Sequence, residues 1–228
     1  MNSRIDTTPQ LRWLRRAPEG IDAPARAPRL GVLSGTFNPP TRAHLALGAA
    51  ALEQLGLHEV LFVLPEAPPH KAELEATLAD RSAMVMAALK GKPQFSAAMC
   101  THGLFVDIHR ALAAEFPAAT EVFFLAGRDA AERILLHWPY DNPAAALAEM
   151  LERFQLGVAS RGGEFRIPDT APASAYAHRV HGISLAEEVE ALSATLARDR
   201  LRRGEPVDSI LPRAVADYIR ANRLYAPP

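Results

Sequence analysis

Short apolar runs alternate with amphipathic stretches along this chain. Each run is bounded by polar or turn residues and is too short for a helix, which favours strands buried inside a parallel sheet. The stretches between the runs carry apolar residues at helical spacing, such as Met84, Val85 and Leu89. The runs predict strands over residues 30–33, 60–64, 95–100, 121–126, 156–159 and 178–185.

This alternation predicts an α/β fold, a Rossmann-like parallel sheet with helices on both faces. All of the predicted strands lie in residues 29–228, which form a single domain ending in C-terminal helices. Residues 1–28 contain four prolines and little periodic apolar sequence, and they predict a mobile N-terminal arm. Within this arm, Leu11, Trp13 and Leu14 are candidates for docking on the domain or on a second subunit.

The first predicted strand leads through a tight loop, residues 35–40, into a helix that Thr41 can cap and that Gly56 can end. Such a junction turns backbone N–H groups and the positive end of the helix dipole toward the loop, which favours a bound anion. Gly35 lets a phosphate approach closely. His44 lies in the first helical turn, where the dipole disfavours the imidazolium. We expect a neutral or weakly protonated His44 that gains protons when polyphosphate binds.

Composition and charge exclude several classes of protein but do not identify the function. The 228 residues suffice for one large or two small domains, and the net charge of −1 gives no reason to expect nucleic acid as a partner. Cys100 is the single cysteine, which excludes an internal disulfide and a cysteine-rich zinc site. No apolar run approaches the ~20 residues of a membrane span, and the N-terminus lacks the apolar stretch of a signal peptide. We expect a cytoplasmic protein that does not bind membranes.

The stretch GTFNPPTRAHL resembles the G-x-F-(D/N)-P-x-(H/T)-x-x-H signature of the nucleotidyltransferase superfamily, and within it the nicotinate and nicotinamide mononucleotide adenylyltransferases. The alternative is an ordinary βα turn with a surface histidine, and three further segments count against it. Many members have histidine where this chain has threonine, which is also a family variant. The matching residues are Gly35, Phe37, Asn38, Pro39, Thr41 and His44.

The second and third segments follow predicted strands. The loop PEAPPHK, residues 65–71, is similar to a P-P-H-K run of the family, although a basic surface loop explains it equally well. The strand over 121–126 runs into Gly127 and Asp129, which match a G-x-D followed by a helix and a tryptophan, here Trp138. DAAE, from Asp129, is also a capping-box pattern, and both readings can hold. Trp138 suits a core position or stacking on an aromatic ring.

The fourth segment, residues 192–225, is similar to I-S-S-T-x-(I/V)-R followed by a helix, a glycine and P-x-x-V-x-x-Y-I-x-x-x-x-L-Y. Ser193 and Thr195 at a helix start offer donors, and Arg198 one turn later offers a planar fork for phosphate oxygens. For the neighbouring arginines a solvated helix face is the preferred interpretation. Those neighbours are Arg200, Arg202 and Arg203.

The resemblance implies transfer of an adenylyl group from ATP to the 5′-phosphate of a pyridine mononucleotide in NAD biosynthesis. The attacking phosphate is already an anion, so the reaction needs alignment and positive charge rather than a base, and Mg²⁺ would arrive bound to the polyphosphate. It implies no metal ligands in the protein. The implied catalytic residues are His44, Lys71 and Arg198. The implied ATP and phosphate contacts are Gly35, Thr36, Phe37, Asn38, Thr41, Gly127, Asp129, Ser193 and Thr195. The implied contacts to the pyridine mononucleotide are Trp138, His70 and Arg161.

Two departures from the family pattern leave alternative functions open. Ala194 replaces a serine, and Gly162 replaces the proline of an Arg-Pro-Gly run, which puts the role of Arg161 in question. The alternatives are a nucleotidyltransferase acting on another phosphate ester, of the pantetheine-phosphate or glycerol-phosphate type, and a catalytically weak nucleotide-binding paralogue. Nicotinate and nicotinamide are both open at this point, and so is a homo-oligomeric state.

Overall fold

The computed structural model describes residues 8–21, 27–68, 74–137, 141–160, 165–169 and 171–226. The strands are β1 (Leu11–Arg15), β2 (Arg29–Ser34), β3 (Glu59–Pro65), β4 (Phe95–Cys100), β5 (Glu121–Ala126), β6 (Gln155–Ser160) and β7 (Val180–Ser184). The α-helices are α1 (Arg42–Gln54), α2 (Leu78–Ala88), α3 (Phe105–Leu112), α4 (Arg128–Glu132), α5 (Pro143–Leu151), α6 (Glu187–Glu190), α7 (Ala194–Arg202) and α8 (Arg213–Ala221). A π-helical segment, Arg133–His137, follows α4, and a 3-10 helix, Pro172–Arg179, precedes β7.

The seven strands form one sheet in the order β1-β4-β3-β2-β5-β6-β7. The pairs from β4 to β7 across the sheet are all parallel, as predicted. The chain builds outward from β2 to β4 and then crosses to β5 on the other side. Ligands of such sheets bind beyond the carboxyl ends of the strands where this reversal occurs. The topology therefore points to the ends of β2 and β5.

Both faces of the sheet are covered, which is why its strands read as unbroken apolar runs. In β3, Leu61 and Val63 belong to one hydrophobic core, whereas Phe62 and Leu64 belong to the other. All four side chains are fully buried. A third cluster packs α7 and α8 against α2 and includes Val215 and Ile219 of α8. The parallel strands with a hydrophobic core on each face confirm the predicted α/β fold class.

The prediction of a mobile arm is wrong for residues 11–15. They form β1, which pairs antiparallel with β4 and makes the sheet mixed rather than wholly parallel. Trp13 packs on Phe116, with 5.9 Å between the ring centroids, and its Nε1–H donates to Glu115 Oε2 over 2.7 Å. Without β1 the unpaired edge of β4 would be exposed. The predicted docking of Leu11, Trp13 and Leu14 is confirmed, since all three pack against the cores.

No helix of the described residues is long and apolar enough to cross a membrane.

Helix α1 ends before Gly56, whose φ of +59° is the left-handed stop that the sequence predicts.

Candidate active site

A cavity of about 780 Å³ opens at the carboxyl ends of β2 and β5. This volume lies within the range of sites for small organic ligands. The loop after β2 forms one wall, the start of α4 another, and the start of α7 a third. Nine of the predicted site residues line it: Gly35, Thr36, Phe37, Asn38, Thr41, His44, Gly127, Asp129 and Ser193. Residues 35–41 are called the signature loop below.

His44 is held by the residue that starts its helix. Thr41 is the N-cap of α1, and its backbone N–H donates to His44 Nδ1 over 2.9 Å. The Thr41 hydroxyl lies 2.8 Å from the same nitrogen. Because a backbone N–H can only donate, Nδ1 accepts, and the neutral ring carries its proton on Nε2. His44 therefore lines the cavity as a ring whose tautomer is set by the helix cap.

Phe37 packs against the His44 ring. Its side chain is 2% exposed, packs on Phe62 at 5.6 Å, and meets the His44 ring edge-on at 5.2 Å between centroids. The Phe37 backbone has a φ of +46°, a left-handed conformation that is uncommon for a bulky residue and costs on the order of 1 kcal/mol. Burial of the ring offsets that cost. The aromatic residue of the signature thus serves to position the loop and the histidine.

Gly35 joins the loop to the sheet. Its N–H donates to the Val63 carbonyl over 3.1 Å, so this donor is used by the protein. A methyl group built at Gly35 would meet the Phe37 ring at 3.4 Å, an ordinary contact. Crowding within the protein therefore does not require glycine here. Gly35 lines the cavity, where the absence of a side chain leaves the space beside the backbone open.

The start of α7, which belongs to the second predicted phosphate-binding segment, lines the same cavity. Ser193 is the N-cap of α7 and accepts from the Leu196 N–H over 3.1 Å. Arg198, one turn further, donates from Nη1 to the Asn38 carbonyl over 2.7 Å and from Nη2 to the Thr195 hydroxyl over 3.3 Å. Two segments 160 residues apart in sequence are thereby in direct contact.

Arg198 also has a carboxylate neighbour. Its Nε lies 3.2 Å from Glu75 Oε1, although the N–H does not point at that oxygen, and Arg202 binds the same oxygen at 2.6 Å. The Arg198 side chain is 17% exposed. Thus the guanidinium that the sequence assigns to the triphosphate lies between the signature loop and an acidic side chain.

Asn38 is anchored by the end of the chain. Its Oδ1 accepts from the Tyr225 hydroxyl over 2.6 Å and from the Ala76 N–H over 3.4 Å. The family resemblance places this tyrosine in a terminal L-Y pair, and the structure shows what it touches. The side-chain oxygen of Asn38 is therefore used to hold the loop in place.

Sequence reasoning missed Arg81. This residue of α2 is 3% exposed, and its Nη1 donates to the Thr36 carbonyl over 3.0 Å. A signal was present, because Arg81 precedes Met84 by three residues and Val85 by four, which places a charge on the apolar face of an amphipathic helix.

The junction after β5 corrects one interpretation. Gly127, not Asp129, is the N-cap of α4, so the helix starts two residues earlier than the capping-box pattern predicts. Glu132 forms an ion pair with Arg128 at 3.0 Å instead. The cause is that β5 runs directly into the helix at Gly127. Asp129 then falls in the first turn, on the cavity wall.

Four predicted site residues lie outside the described residues: His70, Lys71, Trp138 and Arg161. Pro65 and Pro68, which precede two of them, line the cavity. Within the described part of the chain, no three His, Cys, Asp or Glu side chains are grouped so as to hold a metal ion.

Comparison with known proteins agrees with this geometry. Residues 32–200 match the cytidylyltransferase-like family model. A probable nicotinate-nucleotide adenylyltransferase of Salinispora arenicola is 33% identical over 201 residues, which cover 85% of this chain and 99% of that protein. The corresponding protein of Dehalococcoides mccartyi is 30% identical over 207 residues, with 86% and 97% covered.

The fold is also shared with solved structures. Nicotinic acid mononucleotide adenylyltransferase of Plasmodium falciparum, complexed with NaAD, has a TM-score of 0.66 at 17% identity, over 87% of this chain and 97% of that one. The chain belongs to the cytidylyltransferase-like family and, within it, to the nicotinate-nucleotide adenylyltransferases.

Proposed function

We propose that this enzyme transfers the adenylyl group of ATP to nicotinate mononucleotide, giving the dinucleotide and pyrophosphate. The observation that carries the proposal is one shared cavity: the signature loop with His44 and the start of α7 at Ser193 both line it, and Arg198 connects them. The names of the curated relatives support nicotinate over nicotinamide.

The reaction requires little proton transfer. An oxygen of the mononucleotide 5′-phosphate attacks the α-phosphorus of ATP, the new O–P bond forms, and the bond to the pyrophosphate oxygen breaks. A phosphate monoester is already largely dianionic near neutral pH, so no general base is needed. The protein has to align the two phosphates and stabilise the charge that develops on the α-phosphate and the leaving group.

The described residues fit these tasks. The Nε2–H that the Thr41 contact imposes on His44 is a donor for an oxygen of the α- or β-phosphate. Arg198 would bind the triphosphate, with Ser193 and Thr195 as supporting donors, and the family pattern adds Lys71, which lies outside the described residues. The starts of α1 and α7 both border the cavity and add the positive ends of two helix dipoles.

Mg²⁺ enters this scheme as part of the substrate. Bound to the triphosphate, it would neutralise charge on the transferred and leaving groups. At the other end of the ligand, Trp138 would stack on the pyridine ring, and His70 and Arg161 would contact the mononucleotide. These assignments follow from the family pattern.

The test is direct. The purified chain is incubated with ATP, Mg²⁺ and one phosphate ester at a time, and the products are separated by liquid chromatography with mass detection. We expect the dinucleotide from nicotinate mononucleotide, at a higher kcat/KM than from nicotinamide mononucleotide. Pantetheine phosphate and glycerol phosphate should give no adenylylated product. The proposal would be contradicted if the chain adenylylated only pantetheine phosphate or only glycerol phosphate, or if it adenylylated none of the esters.

A variant pair assigns the activity to this site. His44→Ala should lower turnover by roughly 10²–10³, the usual cost of one lost donor to developing charge, with the fold intact. His178→Ala, at an exposed histidine of the 3-10 helix, should leave turnover unchanged. Near-normal turnover in His44→Ala would remove His44 from the mechanism.

A further inference from the structure

We propose that Arg81 is a positioning residue whose buried positive charge is balanced by the phosphates of bound ATP and not by the protein. The inference rests on the proposed function in one respect, namely that ATP binds at the signature loop.

Arg81 lies directly behind that loop. Arg81 itself is 3% exposed, and its Nη1 donates to the Thr36 carbonyl over 3.0 Å. Its Nε is inaccessible to solvent and has no hydrogen-bond partner. Because Thr36 lines the cavity, one peptide group separates the guanidinium from the space where a ligand would lie.

Within the residues that the structure describes, no carboxylate forms an ion pair with this guanidinium. Among the ion pairs of the described residues, none includes Arg81, and the neighbouring Asp80 carboxylate binds Thr77 and Tyr218 instead. The Tyr225 phenol is close enough to interact electrostatically with Arg81 if it ionises. Because burial raises the pKa of this phenol, it remains uncharged at neutral pH. Burial lowers the pKa of the Arg81 guanidinium, which nevertheless stays protonated.

Arg198 provides the contrast. Arg198 donates to the Asn38 carbonyl of the same loop, and the Glu75 carboxylate lies beside its guanidinium. An unpaired buried charge is costly to a fold and is rare unless a ligand completes it. Of the two arginines that donate to carbonyls of this loop, Arg198 has a carboxylate beside it and Arg81 has none among the described residues.

The contact to Thr36 also orients a donor. In a trans peptide the carbonyl of one residue and the N–H of the next point in opposite directions. When Arg81 holds the Thr36 carbonyl, the Phe37 N–H is turned to the other side of the loop, and no backbone hydrogen bond of the described residues uses that N–H. Arg198 orients no such donor, because the residue after Asn38 is a proline.

Two effects on ATP follow from this placement. The Phe37 N–H is preorganised for a phosphate oxygen, and the guanidinium attracts the phosphate through the loop. At a separation of about 8 Å and an effective dielectric constant of about 20, the attraction between two unit charges changes affinity by roughly thirtyfold.

Two substitutions of similar length separate charge from shape. Arg81→Lys keeps the positive charge, whereas Arg81→Met removes it. ATP affinity is measured by calorimetry with Mg²⁺, and stability without ATP by thermal unfolding. We expect Arg81→Met to bind ATP roughly thirtyfold more weakly than Arg81→Lys, while its unfolding temperature is equal or higher. Arg213→Met, at a side chain that is 92% exposed, makes the same change of net charge and should leave ATP affinity unchanged.

Equal ATP affinity of Arg81→Lys and Arg81→Met would overturn the proposal. So would failure of Arg81→Met to fold, because the charge would then serve the fold and not the ligand. Both results leave the proposed function intact if the wild-type chain binds ATP and forms the dinucleotide. A wild-type chain that binds no ATP would instead refute the proposed function.

Discussion

Tyr225 ties the end of the chain to the signature loop, and Tyr225→Phe measures the strength of that tie. The residue is 7% exposed, and its hydroxyl donates to Asn38 Oδ1 over 2.6 Å. Phenylalanine preserves the ring but leaves the amide oxygen with only the Ala76 N–H at 3.4 Å. Losing one partner of a buried hydrogen bond costs about 1–2 kcal/mol. For a domain of this size, the unfolding midpoint should fall by roughly 2–8 °C.

The same hydroxyl predicts a pH dependence with a definite sign. Burial raises the pKa of Tyr225 above the ordinary value of about 10. Below that pH the hydroxyl is protonated in both states, and its contribution to stability is fully present. Above it the unfolded chain loses the proton first, so this contribution falls by about 1.4 kcal/mol per pH unit toward the folded pKa. Tyr225→Phe lacks this loss, and its deficit relative to wild type should shrink by about 1.4 kcal/mol at pH 11.

The assay is urea unfolding of both proteins at pH 7 and pH 11, followed by circular dichroism. Tyr176→Phe is the matched control, because the hydroxyl of Tyr176 bonds to Glu152 at the surface, and it should leave stability at pH 7 nearly unchanged. Equal stability of Tyr225→Phe and wild type at pH 7 would refute the reasoning. A deficit that stays constant up to pH 11 would refute its electrostatic part.

Three further predictions test other contacts. Nitrogen-15 NMR should show neutral His44 protonated on Nε2, with shifts that change when ATP is added; a proton on Nδ1 would contradict the cap geometry. Arg198→Ala should lower kcat/KM by roughly 10², whereas Arg203→Ala, at a side chain 59% exposed, should have little effect, and equal losses would disprove the assignment. Trp13→Ala should lower the free energy of unfolding by about 1–3 kcal/mol without changing turnover, since β1 lies at the edge of the sheet away from the cavity; loss of turnover in a stable variant would be the contrary result.

Local pattern was sufficient where one short segment decides its own structure. The run over 60–64 is apolar on both sides because both faces of β3 are buried, so burial is visible in the sequence itself. The cap at Thr41 and the stop at Gly56 likewise depend on backbone geometry that particular residue types favour. The signature loop was found for the same reason, because its residues are adjacent in sequence.

Strand β1 was missed because its partner makes it a strand. Residues 11–15 mix apolar and basic side chains without regular alternation and lie between prolines, and in isolation they favour no structure strongly. The open edge of β4 supplies the hydrogen bonds, and Phe116 and Glu115 receive Trp13. Tertiary context thus overrides a weak local preference.

The amino-acid sequence by itself determined the order of the parallel strands, the family signature and the segments that carry the candidate phosphate-binding residues. Only the tertiary structure decided how those segments are held together. Arg81 and Arg198 bind the carbonyls of Thr36 and Asn38, and Tyr225 reaches Asn38 across 187 residues. Every residue has a carbonyl, so the sequence cannot mark which ones accept from an arginine; that choice depends on which helices pack behind the loop.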